Sequence, residues 1–94
     1  MNAEEKKLAF RVLFGEKLEE ARANKGMSQE DVAKLTGLSR SVISYYESGK
    51  RSINLNEAIF LCDRCGFDFT HIASEITSAS PADLAKALEK IQNR

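Results

Sequence analysis

Two short helical patterns meet at Gly37, and this junction constrains the fold more than any other segment of the chain. Ser28 and Ser39 each precede an amphipathic run and are typical helix N-cap residues. Gly37 should end the first run, because glycine adopts the left-handed conformation without a Cβ clash. One residue, Leu38, separates that glycine from the second cap. Because so short a connection cannot reverse the chain, the two helices over residues 28–47 should cross steeply, as in a helix-turn-helix.

The segments on either side of this pair also favour helices. Apolar residues recur at three- and four-residue steps over residues 4–24, which indicates an amphipathic helix. Gly15 leaves two interpretations open: one long helix, or an N-terminal extension of about ten residues followed by a helix from about residue 11. Asn54, Asp68 and Ser80 are cap residues that predict three further helices. The residues expected on the inward face of the helix after Asn54 are Leu55, Ala58, Ile59, Cys62 and Cys65.

The predicted fold is therefore all-α, with a five-helix domain built around the helix-turn-helix and one extra C-terminal helix. The domain should span residues 1–78, including an extension over about residues 1–10, and the extra helix should lie within residues 79–94. At 94 residues the chain is long enough for one modest core. It shows neither a signal-peptide pattern nor an apolar run of transmembrane length, so we expect a cytoplasmic protein without a membrane partner.

The charge of the chain is balanced overall but uneven along its length. The net charge is zero, from 14 Lys and Arg residues against 14 Asp and Glu residues. Overall charge therefore does not by itself argue for a nucleic-acid partner. Residues 40–51, however, carry Arg40, Lys50 and Arg51 against Glu47 alone. This distribution allows a local positive face at the second helix of the pair and at its exit loop.

The second helix of the pair has one apolar and one polar side. Val42, Ile43 and Tyr46 fall on the inward side at helical spacing. The outward residues are Arg40, Ser41, Ser44 and Tyr45. A helix fits the major groove of B-DNA, where the base edges present distinguishable donor and acceptor patterns. Arginine can bind guanine there, serine can donate or accept a hydrogen bond, and tyrosine can touch a thymine methyl or a phosphate.

Taken together, these motifs resemble the Cro/cI-type (XRE-like) helix-turn-helix regulators of phages and bacteria over roughly residues 11–76. The segments that carry the resemblance are Leu18 to Arg22 before Lys25-Gly26-Met27-Ser28-Gln29, then Val32-Ala33, Gly37-Leu38-Ser39, Ile43-Ser44 and Glu47-Ser48-Gly49-Lys50-Arg51. The resemblance implies a Cro/cI-repressor-like fold and double-stranded DNA as the partner. The chain departs from the family pattern in its neutral charge, its N-terminal extension and its C-terminal helix. Arg40 stands where several family members have Gln, so no base preference carries over.

The resemblance also implies roles for single residues. The residues matching base-reading positions are Arg40, Ser41, Ser44 and Tyr45. Those matching DNA phosphate contacts are Ser28, Gln29, Ser39, Lys50, Arg51 and Asn54. Arg22 and Glu47 match a partly buried ion pair that ties the first helix to the end of the recognition helix. Each of the four base-reading residues also has an alternative role. Arg40 could be solvated or bound to a phosphate, and Ser41 and Ser44 could be solvated. Tyr45 could pack on the protein surface or hold a phosphate.

A stripe of Leu84, Leu88 and Ile91 runs along the last predicted helix. A helix of about a dozen residues is marginal alone and must bury such a face. It either folds back onto the domain, on Leu8 and Phe10, or pairs with a second subunit. We favour a homodimer with these three residues at its contact, because one recognition helix makes few specific contacts and two-fold operators are the usual solution.

The remaining reactive residues favour no chemistry. Cys62 and Cys65 form a CxxC motif, but the only further candidate ligand is His71, and both cysteines fall on an apolar face. We therefore expect no metal site, no cofactor and no enzyme activity. The predicted function is a sequence-specific DNA-binding transcriptional regulator, a dimeric repressor that reads a palindromic operator through helix 39–47. The alternative is a protein-interaction module, such as an antitoxin or anti-regulator, with a protein partner.

Overall fold

The computed structural model describes residues 1–93, which form six α-helices and no strand. The helices are α1 (Ala3–Asn24), α2 (Gln29–Thr36), α3 (Arg40–Ser48), α4 (Leu55–Cys65), α5 (Phe69–Thr77) and α6 (Pro81–Gln92). This confirms the predicted all-α fold, with α2 and α3 as the helix-turn-helix and α6 as the extra C-terminal helix. None of the helices in residues 1–93 has both the length and the apolar character needed to cross a bilayer.

Cap residues set the boundaries of the central pair. The Ser28 hydroxyl accepts a hydrogen bond from the Asp31 amide at 3.0 Å, and the Asp31 carboxylate accepts one from the Ser28 amide at 2.8 Å. Ser39 caps α3 by accepting from the Val42 amide at 3.1 Å. Gly37 ends α2 with a φ of 78°, in the left-handed region that favours glycine. The junction predicted from the sequence is therefore the one observed.

The first helix is continuous through Gly15, and the alternative of a separate N-terminal extension is wrong. It begins at Ala3, where the Asn2 side chain accepts from the Glu5 amide at 2.8 Å. Gly15 is buried, and a Cβ placed on it would lie 2.3 Å from the Tyr46 carbonyl oxygen and 2.6 Å from that of Glu47. Glycine at this position therefore allows α1 to approach the backbone at the end of α3.

The hydrophobic side chains form two clusters. The larger one gathers residues from α1 to α5, and its buried members are Leu18, Val32, Ile43, Tyr46, Leu61, Cys62, Cys65, Phe67 and Ile72. The smaller one joins the first half of α1 to α6, and its buried members are Ala9, Val12, Leu13, Leu84, Ala87 and Leu88. The larger cluster fixes the orientation of α3, and the smaller one fixes α6 on α1.

The predicted inward face of α4 is partly wrong. Leu55 and Ile59 are 63% and 46% exposed, whereas Leu61 is 2% exposed. The buried positions are Ala58, Leu61, Cys62 and Cys65, which follow the three- and four-residue steps of a single helical stripe. Leu55 and Ile59 lie to one side of that stripe.

The favoured expectation that the apolar stripe of α6 is available for contact with a second subunit also needs correction. Leu84 and Leu88 are only 8% and 7% exposed, and they pack with Ala9 and Leu13 of α1. Ile91 is half-buried against the same cluster. The stripe therefore folds back onto its own domain, because the apolar face of α1 offers it a partner within the chain. Of the two alternatives left open by the sequence, the single chain adopts the first.

Candidate nucleic-acid interface

Helix α3, the predicted recognition helix, is held by its inward side and presents its outward side to solvent. Ile43 is 2% exposed and Tyr46 8%, both within the larger cluster. On the opposite side, Arg40 and Ser41 are exposed and Tyr45 is 45% exposed. Ser44 is half-buried. The four predicted base-reading residues therefore share one side of α3, and Ser44 lies deepest among them.

The start of α2 lies beside the start of α3. Ser28, Gln29 and Arg40 line one shallow hollow of about 410 Å³. A helix N-terminus leaves backbone amides without intrahelical partners and carries a partial positive charge, so it can hold a phosphate. The hydroxyls of Ser28 and Ser39 are engaged as caps. These two serines would therefore serve a phosphate by ordering the helix starts and their amides.

The first turn of α2 also carries a fixed negative charge. The Ser28 amide donates to the Asp31 carboxylate, and the Ser28 hydroxyl accepts from the Asp31 amide. Hydrogen bonding with the backbone and the side chain of Ser28 holds the pKa of Asp31 below its ordinary value. The carboxylate is thereby kept ionised and committed to the cap. Its charge complements the N-terminus of α2 and stabilises the end of the helix that faces the hollow.

A buried carboxylate joins α1, α2 and α3. Glu47 is 6% exposed, and Arg22 donates to it through Nε at 2.7 Å and through Nη2 at 3.0 Å. The Gln29 side-chain amide donates to the same carboxylate at 3.0 Å. Arg22 Nη1 also donates to the Met27 carbonyl at 2.9 Å. The hydrogen bond to Glu47 raises the pKa of Arg22. This network fixes the supporting helix against the recognition helix.

The exit loop of α3 is fastened by a contact that the sequence did not reveal. Arg11 Nε donates to the Gly49 carbonyl at 2.7 Å, and the Lys50 amide donates to the Tyr45 carbonyl at 3.0 Å. Gly49 has a φ of 74°, and a Cβ on it would lie 2.8 Å from Val12 Cγ2. The exposed side chains of Lys50 and Arg51 are therefore presented from a fixed backbone. Local sequence patterns could not predict this contact, because Arg11 and Gly49 are 38 residues apart.

The predicted phosphate-binding residues lie at both ends of α3. Ser28 and Gln29 adjoin its first turn, and Lys50 and Arg51 follow its last turn. Asn54 caps α4, since its Oδ1 accepts from the Glu57 amide at 2.8 Å. The surface therefore has an exposed helix side in the middle and polar or cationic groups at each end. Such a surface can read base edges with the helix while binding the flanking phosphates.

The CxxC motif is not part of this surface. Cys62 and Cys65 are buried free thiols in the larger cluster. Burial raises the pKa of the Cys62 thiol to about 11, and the neighbouring Cys65 and Asp68 add to the shift. Across residues 1–93, no three His, Cys, Asp or Glu side chains are grouped so that they could hold a metal ion. The thiols act as small apolar side chains in the core.

A steep helix pair clamped from α1, with one exposed polar side, is the architecture of a helix-turn-helix DNA-binding protein. A family model described as Helix-turn-helix matches residues 18–72, which is more than half of the chain. The chain belongs to this family, in its Cro/cI-type (XRE-like) form.

A solved structure supports the same conclusion. The chain is similar to the restriction-modification controller protein C.AhdI from Aeromonas hydrophila, at 36% sequence identity and a TM-score of 0.61. The match covers 65% of this chain and 92% of the controller protein. No curated protein sequence matches the chain. The family and the structural neighbour together establish a DNA-binding transcriptional regulator.

Proposed function

We propose that this regulator is a homodimeric repressor that reads a palindromic operator through α3. The observation that carries the proposal is the clamped geometry of α3. Its inward side is held by the core and by the Arg22–Glu47 pair, at 2.7 Å, while Arg40, Ser41 and Tyr45 face solvent. A reading helix must be rigid and exposed on one side, because discrimination between bases depends on fixed donor and acceptor positions.

Within this proposal the exposed side chains of α3 contact different base pairs. Arg40 binds a base edge, with guanine as the base that suits its bidentate guanidinium. Ser41, Ser44 and Tyr45 contact the neighbouring base pairs. The predicted phosphate contacts come from Ser28, Gln29, Ser39, Lys50, Arg51 and Asn54. Because these residues lie at both ends of α3, the phosphate contacts set the register in which the bases are read.

The proposed dimer contact moves from α6 to α4. Three large apolar side chains are exposed along α4: Leu55 at 63%, Ile59 at 46% and Phe60 at 45%. Exposed apolar groups gathered on one helix are typical of an interaction surface. A second copy of this chain is the occupant that the proposal requires, because two-fold symmetry gives two recognition helices for one operator. The dimer would bring these α4 surfaces together.

Repression follows from occupancy of the promoter. A dimer bound across two half-sites about one helical turn apart would compete with RNA polymerase for the same DNA. The similar controller protein of a restriction-modification system supports a role in transcriptional control. The proposed organisation is a DNA-binding domain over residues 1–78 and a packing helix within residues 79–94.

The test begins with selection of genomic DNA fragments by the purified full chain, followed by sequencing. We expect a palindromic site bound by two chains, with an affinity that falls steeply as salt rises, because bound phosphates release counterions. Ile59→Asp should bind the same site more weakly and sediment as a monomer. Ala85→Asp, which adds the same charge at an exposed position of α6, should still sediment as a dimer. If no fragment is enriched and the chain instead retains a stable protein partner, the interaction-module alternative is correct.

A further inference from the structure

A groove connects α6 to the DNA-facing side of α3. It has a volume of about 260 Å³, and its lining includes Gln29 of α2, Ser44 of α3 and Lys90 of α6. Glu16 and Glu19 of α1 line the same groove. Residue 90 lies outside the segment that matches the family, residues 18–72. The last helix therefore brings a cation to the edge of the proposed DNA surface.

The charges in this groove are unequal. Glu47 is satisfied by Arg22 and Gln29. Glu16 is paired across the chain with Lys90, whose Nζ lies 2.5 Å from Glu16 Oε1. Without Lys90 the groove would present three carboxylates against one guanidinium. A phosphate backbone approaching Gln29 would then meet a negative field.

The position of Lys90 depends on how α6 docks. Leu84, Ala87 and Leu88 are at most 8% exposed and pack on α1. This packing sets the rotation of α6, so that Lys90 comes to Glu16. The ion pair itself is half-exposed, with side-chain exposures of 58% for Lys90 and 30% for Glu16. Such pairs contribute little to stability, so an effect on DNA affinity can be measured apart from an effect on folding.

We infer that α6 is part of the DNA-binding surface, and that Lys90 acts there as a positioning residue by offsetting the charge of Glu16 beside the recognition helix. The partner is the phosphate backbone of the DNA, and this inference rests on the proposed function. Lys90 affects every DNA sequence alike, because it reads no base. Docking of α6 therefore tunes overall affinity, while α3 determines which sequence is bound.

The experiment compares the affinity of the full chain and its variants for one selected duplex over a potassium chloride series. Lys90→Gln should weaken binding about five-fold at low salt while leaving the ranking of DNA sequences unchanged. Lys90→Arg should retain the wild-type affinity, because it keeps the charge. The matched control is Lys86→Gln on the same helix. Lys86 does not line the groove beside α3, and the groove that it does line shares Glu16 and Lys90 with that one but contains no residue of α2 or α3. Lys86→Gln removes the same charge and should cost clearly less.

The decisive variant is the double substitution Glu16→Gln with Lys90→Gln. If Lys90 works by offsetting Glu16, the double variant should recover most of the affinity lost by Lys90→Gln, with unchanged thermal melting in all variants. Equal affinities for Lys90→Gln and Lys86→Gln would overturn the inference, and so would a double variant as weak as Lys90→Gln. A wild-type chain that binds no DNA would instead overturn the proposed function.

Discussion

At the scale of single residues, the position of α3 depends on a glycine in the middle of α1. Gly15 faces the carbonyl oxygens of Tyr46 and Glu47, and an added Cβ would lie within 2.6 Å of both. Backbone atoms cannot move aside as a flexible side chain can. The sequence indicates only a weak helix former here, because the close approach is made by residues about thirty positions away in a separate helix.

Gly15→Ala should therefore destabilise the fold by about 2–3 kcal/mol, as expected for overpacking. The separation of α1 from α3 should also weaken DNA binding. Urea denaturation measures the first effect. The control is Gly26→Ala, where a Cβ meets no atom within 4 Å but φ is +67°, so only a left-handed penalty of about 1 kcal/mol is expected. Equal losses for the two variants would show that the contact with α3 is unimportant.

The Arg22–Glu47 pair is a second place where one residue should contribute strongly to the stability of the fold. The Glu47 carboxylate is 6% exposed and accepts from Arg22 and Gln29. Arg22→Ala should cost about 3 kcal/mol of unfolding free energy, because it leaves a buried carboxylate without its cation. Lys7→Ala removes a pair whose side chains are 76% and 85% exposed, and it should leave the melting temperature nearly unchanged. A comparable loss in both variants would contradict this assignment.

At the scale of helices, the starts were predictable and the buried faces less so. Ser28, Ser39, Asn54, Asp68 and Ser80 all cap the helices predicted from them, because capping is local chemistry within three residues. Along α4, apolar residues occur at too many positions for their spacing to select one face. The structure selects Leu61 and excludes Leu55 and Ile59, since the neighbouring helices decide which side is covered.

The candidate DNA-binding surface was likewise predictable in part. Its centre could be predicted because the polar side of α3 follows from helical spacing and from the family resemblance. The contacts that fasten it were not predictable, because Arg11–Gly49 and Glu16–Lys90 join residues 38 and 74 positions apart. The sequence favours a dimer contact on α6 because an amphipathic stripe indicates burial but does not indicate which surface buries it.

The capping box of α2 gives a prediction about acid stability. The pKa of Asp31 in the folded chain lies below its ordinary value of 3.8 because of its hydrogen bonds with Ser28. The ionised carboxylate therefore stabilises the fold above that value, and this contribution is lost as the pH falls through the folded pKa. Asp31→Asn should lower the urea midpoint at pH 7, and the gap to the wild type should narrow below about pH 4. A difference in urea midpoint that stays constant with pH would contradict a stabilising role for the ionised Asp31.

At the scale of the whole molecule, a neutral chain presents a DNA-binding surface by placing its charges unevenly. Arg40, Lys50 and Arg51 are exposed on α3 and just after it, whereas the one carboxylate of that helix, Glu47, is buried and paired. The balance of 14 basic and 14 acidic residues thus says little about the surface that faces DNA. Salt largely screens charges that lie more than about 8–10 Å apart. The charges close to α3 therefore govern the approach of a polyanion more than the net charge of the chain does.

The central claim is that α3 reads DNA bases, and the most direct measurement is the base preference of the Arg40→Ala variant at a selected site. We expect Arg40→Ala to relax the preference at one position of each half-site, with a cost of about 1–3 kcal/mol on the preferred sequence. Lys50→Ala, the control, should weaken all sequences alike and reduce the salt dependence by about one phosphate contact. If Arg40→Ala leaves every base preference unchanged, α3 does not read DNA in the way described.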